Sequence, residues 1–474
     1  GLIAPTADEL KEVKPFNWKT EFSEIMNNGG FDCIIGNPPY VRQESLGDQK
    51  QYFQQRYETY HGVADMFTYF IEQGVRALSQ DGYFCFIVSN KWLQTNYGEP
   101  LRKFLKSQAG VEIVHFGDLP VFDQATTYTC ILKISVGVNI KPYIVVAKID
   151  TLDFENLENY VKDRKFSINK TDLEDKGWSL SDETTNRIIS KMRKTGITLS
   201  EYVHEEIYYG IKTGCNEAFV IDEETRRDLI SKDAKSKEII KPFLVGRDIR
   251  RYAPVFSDKY VIFTRRGTDI GNYPAIKEYL SKHKDRLTPK PKNWQGKDWH
   301  GRKPGPYKWH EIQDTVDYFK EFEKPKILWP GISSQVTAFA MDNNGYYGND
   351  NNQLIISDDK YLLGIINSKL ASFFLKNICD KVQGGFYRLK IIYVKQIPVH
   401  VINPAIATEK AQHEKMVSLV TQMLELHKSK AGAKTQPEGD VYERQIRSVD
   451  EQIDSLVYEL YGLSEDEIKI VKGR

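Results

Sequence analysis

The 474-residue chain has no apolar run approaching the roughly eighteen residues a membrane span needs. Its opening, GLIAPTADELKEVKPFNW, offers neither a basic block nor an apolar one, so no leader is expected and the cytoplasm is the expected location. Cysteine is scarce: Cys33, Cys85, Cys130, Cys215 and Cys379 are odd in number, widely spaced and never in a C-x-x-C pair. That pattern predicts reduced thiols rather than a disulfide framework or a zinc site. His115, His300 and His310 stand without partners at metal spacing, so no metal site is expected. Also missing are a G-x-G-x-x-G turn, a defensible P-D…E-x-K nuclease pair and any repeat of fixed period. Charge of one sign is absent overall, with a net +1, but not locally. Residues 241–310 hold seventeen Lys and Arg against six Asp and Glu, the composition of a phosphate-facing surface.

What is present is organised in three parts. Over residues 1–140, strand-like runs at Phe31–Gly36 (FDCIIG), 83–88 (YFCFIV), 111–116 (VEIVHF) and 128–136 (YTCILKISV) alternate with helical periods, the pattern of a parallel α/β sheet. Met66, Phe67, Phe70, Ile71, Val75 and Leu78 predict a helix over 65–78, which Asp81-Gly82 closes before the next strand. The short loop around 120–126 predicts that the last two strands pair antiparallel. Residues 141–404 turn to short strands, turns and aromatics, an α+β second domain. Residues 405–474 form a helical hairpin tail: Met416, Leu419, Met423 and Leu426 make one stripe, Ile446, Val449, Ile453, Leu456, Val457 and Leu460 another, and Ser464 to Glu467 opens a third helix as a capping box.

The informative tetrapeptide is Asn37-Pro38-Pro39-Tyr40, directly after the first strand. In open α/β sheets ligands bind at the carboxyl ends of strands, where this loop falls. An exocyclic amine conjugated to a ring is a poor nucleophile, because its lone pair is delocalised. The Asn37 side-chain oxygen and the Pro38 carbonyl can both accept hydrogen bonds from such an NH2 group and favour a tetrahedral nitrogen whose lone pair attacks a methyl group. Proline fixes φ and brings no competing N–H. Tyr40 offers a face for a planar base. A base buried in a duplex reaches such a pocket only when flipped out between two walls. Phe122 is the second-wall candidate, with Phe116 and Tyr128 as other rings in reach. Trp92 reads as packing or as a pocket border, and Asp32 as a strand-start cap.

FDCIIGNPPY resembles the catalytic motif of class gamma amino-methyltransferases, and DMFTYFIEQGVRAL, GYFCFIVSNKWL and PVFDQATTYTCILKI look like that family's later motifs in order. KPFLVGRDIRRY, YLLGIINSKLASFFL, GGFYRLKIIYVKQIPV and LVYELYGL look like the specificity region and tail of fused type II restriction-modification enzymes. The resemblance implies a partial Rossmann-like methyltransferase sheet over 1–140, a target-recognition domain over 141–404, and methyl transfer from S-adenosylmethionine to adenine N6 of double-stranded DNA. It implies that Asn37, Pro38, Pro39 and Tyr40 bind and activate a flipped adenine and that Phe122 packs against it. The family's glycine-rich donor motif is not found before the catalytic loop. The chain is therefore expected to be the carboxy-terminal part of a longer enzyme and not to methylate without the rest.

The same loop also serves methyltransferases of ribosomal RNA and of protein glutamine, but some 260 residues of strand-rich domain favour DNA. A different class of reading is a DNA-specificity module acting for a separate catalytic partner. The DNA-contact candidates are Arg247, Arg250, Arg251, Arg265, Arg266, Lys292, Lys297, Arg302 and Lys303, with Trp294 and Trp299 interleaved as stacking or anchoring rings. The glycine turn 383–385 places Tyr387, Arg388 and Lys390 as further candidates.

Overall fold

The computed structural model describes residues 16–473 apart from 42, 46, 48, 118, 123–127, 179, 181, 297, 380, 383 and 384. It divides into two compact units, Gly1–Asn186 and Arg187–Arg474. No helix among the described residues is long and apolar enough to cross a membrane.

The apolar runs of the first unit become the strands β1 (Phe31–Gly36), β2 (Leu78–Ser89), β3 (Gly110–His115), β4 (Thr129–Ser135), β5 (Tyr143–Lys148) and β6 (Lys165–Asn169). They form one mixed sheet in the order β1-β2-β4-β3-β5-β6. β1 runs parallel to β2, and β3 to β5, whereas β4 lies antiparallel between β2 and β3, as its short connection to β3 predicts. The sheet runs on to Asn169, so the first unit extends past residue 140, with β5 and β6 continuing the same layer. Helix α1 (Phe67–Arg76) buries Phe67, Ile71 and Val75, and α2 (Glu99–Lys106) buries Leu101 and Leu105. With Phe84, Val88, Ile113, Leu132 and Ile134 these make the core of the unit. Each such side chain contributes roughly 1.5–3 kcal/mol by leaving water.

Asp81-Gly82 does not close α1. The helix ends at Arg76 and β2 has already begun at Leu78; Phe31 pairs with Leu78 but Cys33 with Tyr83, so the dipeptide lies in a bulge inside the strand. The opening of β1 depends on Gly30, at φ +118°, where a Cβ would sit 2.6 Å from the Ala77 carbonyl oxygen.

In the second unit, one four-stranded sheet joins β8 (Val220–Asp222), β9 (Ile240–Leu244), β10 (Lys259–Ile262) and β14 (Tyr347–Gly348) in the order β14-β9-β10-β8. Another joins β7 (Ile207–Tyr209), β11 (Lys326–Pro330), β13 (Ala340–Asp342) and β15 (Asn352–Ile355) in the order β13-β11-β15-β7. A small sheet, β12-β17-β16, is built from β12 (Ile332–Ser333), β16 (Lys381–Val382) and β17 (Phe386–Arg388). Helices α3 (Lys360–Asn367), α4 (Lys369–Ile378), α5 (Ala407–Ala431), α6 (Gln436–Leu460) and α7 (Glu465–Val471) follow. Met416, Val420 and Met423 of α5 and Ile453 and Val457 of α6 share one core with Leu362, Ile366 and Trp329. The terminal helices are therefore an integral wall of the second unit rather than a separate tail, and α7 does carry the Ser464/Glu467 capping box.

Candidate functional site

The strand registers bring four chain segments to one edge of the first sheet. Gly36 ends β1, Ser89 ends β2 opposite Thr129 at the start of β4, and Cys130 pairs with both Val88 of β2 and His115 of β3. The Asn37–Tyr40 loop, the Asn90 turn and the loop from Gly117 to Tyr128 therefore leave the sheet at the same end.

Each is held there by identifiable bonds. The Tyr40 hydroxyl donates to the Ile87 carbonyl at 3.4 Å, which lays the ring toward the end of β2. The carbonyl of the next residue, Val41, accepts from Met66 N at 3.1 Å, tying the loop to the entry of α1. Val41 packs beside Ala64, Tyr69 and Phe53, the last two stacked with centroids 4.5 Å apart. Glu72, fully buried on α1, accepts from Glu58 N (3.1 Å) and Thr59 N (2.8 Å) and pairs with Arg76 at 2.5 Å, so the segment leading into α1 is fixed as well.

Within the loop, Pro38 is buried while Asn37 and Pro39 are exposed and Tyr40 is 37% exposed. Burial, and then the Cys130 thiol, push the Tyr40 phenol above its ordinary range, so it stays a neutral donor. Phe122 is half-buried on the third segment; Asp123 and Gln124 beside it lie outside the described residues. Phe116 is buried in a satellite core with Val114 and Ile149 and cannot face a base, whereas Tyr128 is half-buried. Trp92 is fully buried edge-on to Trp178, 5.6 Å away, which makes it core.

Sequence reasoning did not single out Asn90. Its side-chain amide donates to the Gly117 carbonyl at 3.0 Å and lies 3.3 Å from His115 Nε2, and its backbone N–H donates to the Tyr128 carbonyl at 3.0 Å. One residue thus pins both ends of the loop that carries Phe122. The signal was a polar Ser-Asn-Lys triplet directly after an apolar strand.

In the second unit the basic candidates separate by burial. Arg302 is only 4% exposed, and its five N–H groups meet five backbone carbonyls, those of Leu287, Thr213, Glu311, Lys308 and Trp309. Burial draws its pKa down to about 10, so it is a charged structural bolt and not a DNA contact. Arg266 is likewise spent on the Ile312 and Gln313 carbonyls, both at 2.6 Å, and Arg251 on Asp450 and the Asn367 carbonyl. Composition alone does not distinguish these from surface cations.

Arg247, Arg250, Lys292, Lys303, Arg388 and Lys390 are exposed. Arg265 lies over the Phe319 ring at 4.3 Å. Trp294, 42% exposed, meets Trp299 edge-on at 4.9 Å, and Trp299 donates to the Thr288 carbonyl at 3.3 Å, so Trp299 anchors the loop and Trp294 faces outward. Tyr387 pairs across β17 with Ser333 and packs on the core. Lys297 lies outside the described residues, as do Gln383 and Gly384.

Comparison with known proteins follows this division. Residues 4–122 match the family described as Eco57I restriction-modification methylase, and residues 241–399 match the TaqI-like C-terminal specificity domain. The type II methyltransferase M.BstVI of Geobacillus stearothermophilus is 25% identical, over 96% of this chain and 77% of that protein. M.PaeR7I of Pseudomonas aeruginosa is 26% identical, over 84% and 69%. The type II restriction enzyme and methyltransferase RM.Eco57I of Escherichia coli is 22% identical over 97% of this chain, which spans 48% of that enzyme. Among solved structures, the type IIL restriction-modification enzyme MmeI in complex with DNA shares the fold, with a TM-score of 0.62 at 13% identity over 99% of this chain and 59% of that one.

Proposed function

We propose that this chain is a methyltransferase of a type II restriction-modification system, pairing an Eco57I-type methylase segment with a TaqI-like specificity domain, and that it methylates adenine N6 at a specific sequence in double-stranded DNA. The observation that carries the reading is the Asn37–Tyr40 loop at the carboxyl end of β1, braced through Tyr40 to Ile87 and through Val41 to Met66. Asn37 Oδ1 and the Pro38 carbonyl accept the two hydrogens of the adenine amino group. Those two bonds would favour a pyramidal nitrogen whose lone pair is free to attack an electrophilic methyl group. The Tyr40 ring stacks on the flipped base, and Phe122, on the loop pinned by Asn90, closes the other side. Adenine rather than another amine rests on the resemblance of the NPPY motif.

The methyl donor for such a transfer is S-adenosylmethionine. The described residues beside Asn37 do not make a cradle for it: the segment before β1 is two single-turn helices, Trp18–Glu21 and Ser23–Asn27, with exposed Phe16, Trp18 and Phe22, and Gly30 serves the packing against Ala77. No step is assigned to donor-side residues. A second reading, a DNA-specificity module acting for a separate catalytic partner, is favoured by the match of residues 241–399 to the TaqI-like C-terminal specificity domain.

The two readings part on Asn37→Ala in the product of the gene that encodes this chain. As the acceptor for the reacting amine, Asn37 is expected to account for at least about a hundred-fold in methylation rate, with sequence-specific DNA binding retained. Undiminished methylation in the variant overturns the site assignment, and specific binding without methylation by the parent protein favours the specificity module.

A further inference from the structure

The second unit holds a cleft of about 350 Å3 within the segment that matches the specificity domain. Its walls come from the turn after β9 (Gly246, Arg247), the end of β11 with β12 and the following turn (Ser333, Gln335), the turn between β14 and β15 (Asn349, Asn351), and Phe386 of β17. Two segments that stand apart in the sequence, one carrying Arg247 and the other Phe386, therefore meet at one concave surface.

The floor of this cleft is unusual in its polar groups. Asn349 lines it at 9% exposure, and its Oδ1 has no hydrogen-bond partner among the described residues. Behind it, Asn352 donates through Nδ2 to the Leu244 carbonyl at 2.9 Å, which fixes the amide's orientation and leaves Oδ1 unpartnered, 3.6 Å from where a Cβ on the cleft residue Gly246 would stand. An unmade hydrogen bond at a buried oxygen is costly. Two such oxygens beside a cleft are what a ligand bringing N–H donors would satisfy.

The rim has the opposite chemistry, because Arg247 is exposed there and carries a planar fork of donors. A phosphate offers acceptors only; it suits the arginine but is repelled by amide oxygens. The major-groove edge of a G·C pair offers both, with guanine O6 and N7 as paired acceptors and the cytosine N4 amine as a donor. Phe386, 42% exposed, adds an apolar side to the opening.

We infer that this cleft reads a G·C pair of the recognition sequence from the major groove, Arg247 taking the guanine edge and the Asn349 oxygen, with Asn352 behind it, the cytosine amine. The inference rests on the reading of the chain as a sequence-specific DNA methyltransferase and names the residues that choose the sequence.

The test is selection of bound duplexes from a randomised pool by the full chain, comparing the parent with Arg247→Ala, Arg247→Lys and Asn349→Ala, with thermal melting to verify folding. The parent is expected to enrich one sequence containing a G·C pair at which all three variants become degenerate, with roughly ten- to a hundred-fold weaker binding of the parent site by Arg247→Ala and other positions kept. Arg247→Lys keeps the charge, so full retention of the sequence by that variant, or a uniform loss of affinity by Arg247→Ala with the enriched sequence unchanged, makes Arg247 a phosphate contact and overturns the inference alone. Relaxation at different pairs by Arg247→Ala and Asn349→Ala also overturns it. No enriched sequence for the well-folded parent overturns the functional reading, and this inference with it.

Discussion

Tyr40 meets two demands at once: its ring must stay open to a base, at 37% exposure, while its hydroxyl holds the loop against the end of β2. The bond to Ile87 is long, at 3.4 Å, so the ring face carries most of the side chain's value. Tyr40→Phe is expected to keep methylation within about threefold, whereas Tyr40→Ala loses a stacking face worth about 1–3 kcal/mol, roughly ten- to a hundred-fold in target binding. Steady-state kinetics on duplex DNA distinguishes them; equal losses in both variants contradict the stacking role. Arginines supply the converse lesson. Arg247 and Arg302 read alike in a basic sequence, yet one is exposed and the other is bonded to five carbonyls. Arg302→Ala orphans those carbonyls and is expected to cost at least about 3 kcal/mol and to lower Tm by roughly 5 °C, while Arg247→Ala leaves Tm unchanged. A melting scan of the two variants checks this.

Among the elements, α5 and α6 carry a pH dependence of their own. His427 on α5 lies 5.7 Å from the Tyr252 ring, and its pKa is drawn down to about 4, by burial first and then by the Arg251 and Lys430 cations, against the opposing pull of Asp450. The unfolded chain takes up this proton near pH 6.5 and the folded chain only near 4. Stability is therefore full above pH 6.5, falls as pH drops from about 6.5 toward 4, and loses nothing more from this residue below that. The loss is on the order of 2 kcal/mol, reduced from the ideal value because the ring is partly exposed. His427→Gln is expected to flatten the fall of Tm between pH 6.5 and 4; an unchanged slope removes His427 as its cause.

These helices, and β2 to β4, were legible in sequence because apolar period decides them, as the stripes at Met416 and Ile453 show; β1 was legible as an apolar run, FDCIIG, although none of its residues is buried. The bulge at Asp81-Gly82 was not, since an aspartate-glycine pair reads as a turn until the pairing of Phe31 with Leu78 is seen. β5 and β6 lie beyond the residue-140 boundary for a similar reason, because a strand's own sequence does not say which sheet it joins until its pairing is seen. The catalytic loop was legible because its chemistry is local, in four adjacent residues. Asn90 acts through partners far along the chain, and Asn349 lies in a cleft whose other walls come from distant segments, so no window of sequence contains either arrangement.

At the scale of the whole molecule, a net charge of +1 conceals a basic stretch over residues 241–310, so affinity for DNA is expected to fall steeply with salt. Charge removal at the exposed Arg250 or Lys303 should reduce the slope of log K against log salt by about 0.9 for each phosphate no longer neutralised, with the recognition sequence unchanged. A slope unmoved by either substitution takes those residues off the DNA. The central claim is tested most directly by nucleoside mass spectrometry of DNA from bacteria expressing the gene that encodes this chain, in hosts lacking adenine methylation. N6-methyladenine is expected with the parent sequence and none with Asn37→Ala. A methylated cytosine in place of N6-methyladenine, or N6-methyladenine undiminished by Asn37→Ala, contradicts it.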